Sequence, residues 1–262
     1  MNNLGEIIKE KDNAPKPPAT RCKRCSENAE PKFISLLGWR GQDYCDPCAE
    51  IIAEAREREQ EKLSRQERTA TLLKSSGLRG IMHGMTFESF DSERGGKAYD
   101  IAKKYADDFG KETTKGLMLY GRAGSGKTHL ATAIAKLLIE QKQIPVLFVR
   151  VVDLLSDIRR TFDENEQYRT DNETELLRKC TSAPLFILDD LGAEKMTDWV
   201  RQILYQIIDE RWINQKPMIV TSNLSLEELE GRLEERIASR IAGMCQLVEM
   251  RDYDYRIIKP TP

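Results

Sequence analysis

No run of about 18 apolar residues free of charge occurs in this 262-residue chain, so no membrane-spanning helix is expected. The first 16 residues carry both signs of charge and no apolar signal-peptide core, which sets the expectation of a cytoplasmic protein. An excess of either charge is missing too: 41 Lys and Arg face 43 Asp and Glu, for a net -2. Such a balance does not announce a nucleic-acid partner, although a local basic face stays open. Cysteine is scarce, at six residues, and four of the six lie between Cys22 and Cys48. That clustering argues against an even disulfide framework and toward a metal site. What is present is ordinary for a folded soluble chain: 40% hydrophobic and 32% charged residues, with length for one substantial core and a small appendage.

Residues 1–20 hold three prolines and little apolar material and read as a flexible lead-in. Residues 21–48 carry Cys22-Lys23-Arg24-Cys25 and, after 19 intervening residues, Cys45-Asp46-Pro47-Cys48. Each pair brings two thiolates to one ion from a tight turn, and two such pairs make a tetrahedral zinc site. Four cysteines fill the coordination sphere, so the ion is structural; two disulfides or a redox Cys-x-x-Cys pair are the other readings. Phe33, Ile34, Leu36, Leu37, Trp39 and Tyr44 lie between the pairs as a miniature core, and Gly38 and Gly41 suit a hairpin turn. Residues 49–75 contain neither proline nor glycine and read as one helix, with opposite charges at spacings such as Glu54 and Arg58. Its middle third reads as a solvated connector, with a partner-binding surface as the alternative. Ser75, Ser76, Gly77 and Gly80 break the pattern, which places the boundary of the domain 76–262 near residue 76.

The strongest signal is Gly121-Arg122-Ala123-Gly124-Ser125-Gly126-Lys127-Thr128, a P-loop at every required position. A short apolar strand precedes it and a helical stretch follows, which is the context the motif needs. Glycines let backbone N–H groups curve around phosphate oxygens, and the opening helix adds its positive end. Lys127 is expected to reach the β and γ phosphates of a nucleoside triphosphate, and Thr128 to place its hydroxyl on Mg2+. Gly121, Gly124, Ser125, Gly126 and His129 complete the nucleotide-binding set, with local packing or capping as the reading favoured for His129.

Sixty-one residues after Thr128, the buried-strand pattern Pro184 to Leu188 ends in Asp189-Asp190. An acid at the tip of a strand beside the P-loop strand can hold the magnesium shell, which makes Asp189 the candidate, while Asp190 would orient or activate the attacking water. Two acids capping a strand are the plainer reading. A further apolar strand, Pro217 to Val220, ends in Thr221-Ser222-Asn223. The Asn223 amide at that edge would bond a water or the γ phosphate; alone, the tripeptide is also a plain turn.

These motifs in this order resemble the AAA+ ATPases, and more narrowly the bacterial and phage DnaC/DnaI helicase-loader family, with the IstB transposition helper as a close relative. The resemblance rests on the P-loop, the run Phe186 to Glu194 with Trp199, Thr221-Ser222-Asn223, the stretch Gly231 to Ile241, and the close Asp254-Tyr255-Arg256. It covers residues 76–262 well and the four-Cys front more loosely. It implies Walker A roles for Lys127 and Thr128 and a Walker B role for Asp189. Most AAA+ proteins carry Glu where this chain has Asp190, which implies ATP hydrolysis that is slow or stimulated by assembly and DNA. Asn223 would be sensor 1. Arg240 would be the arginine finger reaching a neighbour's ATP, with Arg236 in reserve on the same helical face.

Strands expected near 116–120, 145–149, 184–189, 217–221 and 246–250, separated by helices near 97–109, 128–142, 151–161 and 196–213, read as a three-layer α/β domain with a parallel five-stranded sheet. Nucleotide is expected at the carboxyl ends of the strands. The stretch after Arg240 is short for a full helical lid, so neither Arg251 nor Arg256 is assigned as sensor 2. By resemblance, Leu78 to Phe90 would help form the adenine pocket, with Thr86 and Phe87 as contributors or Phe87 and Phe90 as core. The resemblance also implies a nucleotide-dependent homo-oligomer holding single-stranded DNA, with Arg159, Arg160, Lys136 or Lys142 as phosphate contacts. No aromatic RNA-binding pattern occurs. The implied activity is ATP-dependent loading of a replicative DnaB-type helicase gripped by the zinc module and the following helix. An IstB-type transposition helper acting on duplex DNA is the runner-up. A P-loop kinase would leave Asn223 and Arg240 without a role, and a structural zinc protein would leave Lys127, Thr128 and Asp189 without one.

Overall fold

The computed structural model describes residues 15–34, 37–111, 115–161 and 166–250. The lead-in before residue 15, Leu36 and the closing segment with Arg251, Asp254, Tyr255 and Arg256 lie outside the described residues. The chain divides into two compact units, residues 1–67 and 68–262.

In the smaller unit, β1 (Thr20–Arg21) pairs antiparallel with β2 (Asn28–Ala29), and β3 (Lys32–Ile34) with β4 (Gly38–Arg40). Phe33 stands opposite Trp39, their rings edge to face at 5.6 Å. The expected apolar miniature core is not what holds this unit. Phe33, Ile34 and Leu37 are exposed, and the buried cluster is Ala29 with Cys22, Cys45 and Cys48, against which Tyr44 packs. A lone two-stranded hairpin has no second layer to cover its apolar face. Helix α1 (Asp46–Ser75) follows, and along it Cys48 alone is buried. Its glutamates, arginines and glutamines face solvent, as its composition dictates.

The last turns of α1 belong to the larger unit, because Leu72 and Leu73 pack on its core. The compact unit therefore starts eight residues ahead of the break in helical pattern at 76. At that break Ser76 is fully buried, and its carbonyl accepts the Phe148 N–H at 2.7 Å. Gly77 adopts φ +83, and a Cβ there would stand 2.2 Å from the Phe148 carbonyl oxygen, so only glycine lets the chain lie this close. A short 3-10 turn (Gly80–Gly84), α2 (Ser92–Gly95) and α3 (Lys97–Asp108) lead to the sheet.

Five parallel strands form that sheet: β5 (Gly116–Tyr120), β6 (Val146–Arg150), β7 (Leu185–Leu191), β8 (Met218–Ser222) and β9 (Cys245–Glu249). Their spatial order is β6-β7-β8-β5-β9. Both faces are covered, which is why the strands read as continuous apolar runs. Leu117 and Leu119 enter the core beneath α3 and α4 (Lys127–Lys142); Met118 between them enters the core on the other face. That second face is closed by α5 (Val151–Thr161), α6 (Glu166–Ser182), α7 (Asp198–Ile213), α8 (Leu226–Leu233) and α9 (Glu235–Met244). The strands expected from sequence stand within two residues of those observed. Helix α7 starts at Asp198 because the Thr197 side chain caps it, accepting from the Val200 N–H. The three-layer α/β architecture is as expected, with α6 as an element the sequence reading did not include.

Candidate nucleotide site and metal centre

The P-loop joins the end of β5 to the start of α4. Gly121, Gly124 and Gly126 all have positive φ, so the loop needs its glycines for backbone geometry. At Gly121 a Cβ would also stand 2.9 Å from the Met250 carbonyl oxygen. Lys127 is 7% exposed, and its ammonium donates to the carbonyls of Gly121 (2.7 Å) and Arg122 (2.8 Å) and to Ser125 Oγ (3.4 Å). The loop thus wraps a buried cation at the positive end of a helix, a donor set suited to polyphosphate.

The strand order brings β7, β8 and β5 side by side, so their carboxyl ends meet. Thr128 Oγ1 donates to Asp189 Oδ1 at 2.8 Å, and Thr221 Oγ1 donates to the same oxygen at 2.7 Å. The ladder between β7 and β8 shifts register between Leu188 and Leu191, and within that bulge Asp190 adopts φ 63. Bulges re-aim side chains next to active sites, and aspartate tolerates the left-handed region better than most residues. The Asp190 N–H donates to Thr221 Oγ1 at 2.8 Å, and Asn223 Nδ2 donates to Asp190 Oδ1 at 3.2 Å. Thr128, Asp189, Asp190 and Asn223 are thereby brought into one network. Thr221 is its hub, and the sequence reading passed over it in favour of Asn223. Only the spatial strand order, which puts β8 between β7 and β5, reveals it.

Burial pushes the Asp189 carboxyl above its ordinary range, against the pull of the Thr221 and Thr128 hydroxyls; Asp190 pushes the same way and Arg150 opposes. A carboxylate strained in this manner gains from a cation beside it, so Asp189 and the Thr128 hydroxyl fit a divalent ion.

His129 Nε2 lies 2.9 Å from the Thr86 carbonyl and 3.2 Å from Ser89 Oγ, and its ring meets Phe90 edge to face at 5.0 Å. It fastens the segment 86–90 to the first turn of α4. Phe87 and Phe90 are buried in the core, Phe87 packing edge to face on Tyr99 at 5.7 Å. Burial holds the His129 pKa below 6.5, partly offset by the Thr86 carbonyl. A base whose folded pKa is depressed contributes stability that is full above its unfolded value of 6.5 and is lost as pH falls below it. We expect the wild-type thermal midpoint to drop more than that of His129→Gln between about pH 7.5 and about pH 5.5, measured by circular dichroism. Parallel profiles would refute this.

Arg240 does not project freely. Its guanidinium is paired with Asp209, donates to Tyr205 Oη at 3.0 Å and lies over the Tyr205 ring at 4.8 Å, all on α7. Arg236 is exposed. Two of the four basic residues considered for DNA act inside the fold: Lys136 donates to the His83 carbonyl, and Lys142 to the carbonyls of Asp107 and Phe109. Arg159 lies over the Trp199 ring at 5.1 Å, and Arg160 pairs with Asp157 at 3.3 Å.

In the smaller unit the Cys22, Cys25, Cys45 and Cys48 sulfurs all lie within 4.8 Å of one another. Tetrahedral zinc with bonds of about 2.3 Å requires sulfurs about 3.8 Å apart, so the cluster fits. Cys22 and Cys25 come from the turn between β1 and β2; Cys45 and Cys48 open α1. At Cys22 burial raises the thiol pKa, but backbone N–H groups of Cys25, Cys45 and Arg24 prevail and hold it at about 6. Cys48 is pushed up to about 12 by burial and by its neighbouring thiols. A metal that binds here takes thiolates, so its loading releases protons.

Comparisons with known proteins agree with this geometry. The family profile described as IstB-like ATP binding protein matches residues 53–260. The replicative helicase loader DnaC of Buchnera aphidicola subsp. Schizaphis graminum is 30% identical over 219 residues, covering 82% of this chain and 83% of its own. DnaC of Escherichia coli K12 is 29% identical over 209 residues, 79% of each chain. The uncharacterized protein YqaM of Bacillus subtilis is 30% identical over 203 residues, of which the match spans 72% of this chain and 60% of the relative. Among solved structures, that of the DnaC helicase loader has a TM-score of 0.59 at 30% identity over 66% of this chain and 100% of its own. DnaI has a TM-score of 0.56 at 25% identity over 68% of this chain and 94% of its own. No described helix is long and apolar enough to cross a membrane. With its P-loop, acidic strand tip and parallel sheet in this order, the chain belongs to the IstB/DnaC family and is an AAA+ ATPase.

Proposed function

We propose that this protein is an ATP-dependent loader of a replicative DnaB-type helicase onto single-stranded DNA. The observation that carries the reading is the similarity to DnaC loaders over 82% of the chain, supported by a P-loop whose Thr128 hydroxyl bonds the Asp189 carboxylate at the strand tips. Lys127 holds the terminal phosphates, and Thr128 with Asp189 holds Mg2+. The ion supplies charge neutralisation at the phosphates. Asp190, fixed by Thr221 and Asn223, orients the attacking water; its side chain is short for a base, which keeps turnover slow until a neighbour completes the site. Arg240 is the trans finger. In one chain Asp209 and Tyr205 hold it, and a neighbour's phosphate competes with Asp209 for it, so nucleotide promotes a homo-oligomer.

Zinc on the four cysteines fixes the hairpin whose Phe33, Ile34 and Leu37 are exposed, and those side chains, with α1, grip the helicase. Arg159 on Trp199 and the adjacent Arg160 offer phosphate and stacking contacts to single-stranded DNA. The IstB-like family profile favours a second reading, a transposition helper that acts with a transposase on duplex DNA.

The experiment that separates them is native mass spectrometry of the full chain with a DnaB-type helicase, with ATP and zinc present or withheld. The loader reading expects a defined complex that Ile34→Ser with Leu37→Ser weakens at least about tenfold. In the same assembly Arg240→Ala should cut turnover by about three powers of ten while leaving nucleotide binding by the single chain intact. ATP-dependent assembly on duplex DNA with no helicase complex would replace the loader reading with the second.

A further inference from the structure

Nucleotide chemistry sits at the carboxyl ends of the strands, and the opposite pole of the sheet carries a second concavity. A cavity of about 490 Å3 opens where β5, β8 and β9 begin. Trp212 and Ile213 at the end of α7, with Pro217 and Met244, give it an apolar lining, and Lys115 and Lys216 stand at its edge. Trp212 is 44% exposed and Ile213 66%, large values for such side chains. The edge of the Trp212 ring lies against α9 at Gly243, where a Cβ would come within 2.8 Å of it. The aromatic is therefore held in place beside the opening, which lowers the entropy lost when a partner covers it.

The charged residues that line the cavity are all basic. No carboxylate lines the cavity among the described residues. The two acids just before it on α7 are engaged: Asp209 with Arg240, and Glu210 with the Asn214 amide. Arg211 also lines the cavity. It is fully buried, and its guanidinium donates to the carbonyls of Cys180, Ala183 and Pro217. Lys216 donates to the Ser182 carbonyl at 3.0 Å and keeps two further N–H groups. Two accessible lysines thus stand at one apolar opening in a chain whose net charge is -2.

We propose that this cavity is a docking site for an acidic segment of a partner protein, anchored by an apolar side chain against Trp212 and Ile213 and framed by carboxylates on Lys115 and Lys216. Two edge lysines do not make the row of cations that a phosphate backbone requires, which favours peptide over nucleic acid. A partner seated here lies at the opposite ends of the strands from the P-loop, so docking and nucleotide binding coexist. The inference stands independently of the loader reading.

The test uses the full-length chain and a fluorescein-labelled peptide of about twelve residues that alternates Glu with Leu and Phe, alongside a copy with Gln for Glu. Anisotropy should show the acidic peptide binding about tenfold more tightly than its Gln copy, with the same loss for Lys115→Gln plus Lys216→Gln and for Ile213→Ser. Hydrogen exchange should place the protection at residues 211–217 and 243–244, and affinity for an ATP analogue should not change. Equal affinity for the Gln copy, protection elsewhere, or displacement by a single-stranded oligonucleotide would overturn the proposal. So would a change in self-association by Ile213→Ser with peptide binding unaffected, because the occupant would then be a second copy of this chain.

Discussion

Lys127→Ala should abolish detectable ATP turnover and weaken binding of a fluorescent ATP analogue by two to four powers of ten. The ammonium is 7% exposed and is held at the mouth of the P-loop by the carbonyls of Gly121 and Arg122. It can trade those neutral acceptors for phosphate oxygens with little movement. Hydrogen bonds to charged groups contribute about 1.5–3 kcal/mol each, and two of them give roughly 3–6 kcal/mol, which sets the fold-change. Removing the cation also relieves the loop of a buried charge, so the thermal midpoint should change little. Anisotropy titration and a melt on the same sample decide the matter. Near-normal nucleotide affinity in a folded variant would end the assignment of this loop as the phosphate site.

Stripping zinc should have the second large effect, confined to one unit. The smaller unit buries Ala29, Pro31 and three cysteines among its described residues, far short of an apolar core that holds two short hairpins together. A structural four-thiolate zinc contributes about 10–16 kcal/mol of apparent binding energy near neutral pH, and nothing else in this unit approaches that scale. A strong chelator should therefore release one metal per chain and erase the Trp39 environment that the Phe33 contact creates. The transition of residues 68–262 should stay where it was, since its sheet and both of its cores lie outside the metal module. Cys48→Ser should act in the same way. A metal-free chain that keeps the hairpin would refute the structural-ion reading.

The P-loop was legible because its chemistry is local: glycines for positive φ, a lysine and a hydroxyl at fixed offsets. The strands were legible because a sheet covered on both faces needs unbroken apolar runs, and Leu185 to Leu188 has no alternation to misread. What escaped depended on which elements become neighbours. Thr221 joins Asp189 and the Asp190 amide only because β8 lies between β7 and β5, an order that no stretch of sequence spells out. Arg240 looked like a free finger until α9 packed on α7 and brought Asp209, 31 residues away, against it. Lys136 and Lys142 read as surface cations, yet each ties its helix to a carbonyl from a distant segment. The apolar residues of the zinc module matched a small core in composition, but a two-stranded hairpin has nothing to close over them.

The contact between Ser76 and Phe148 bears on how this protein behaves in concentrated solution. Strand β6 is one of the two edges of the parallel sheet, and an uncovered edge is a template on which another chain can add a strand. Here the chain spends its own junction on part of that edge: the Ser76 carbonyl occupies the Phe148 amide, and Gly77 is bare enough to lie against the strand. A side chain at 77 would lift the junction away and leave the strand open to addition. The glycine that reads as a break in a helix thus also lets the chain cover part of its own sheet edge.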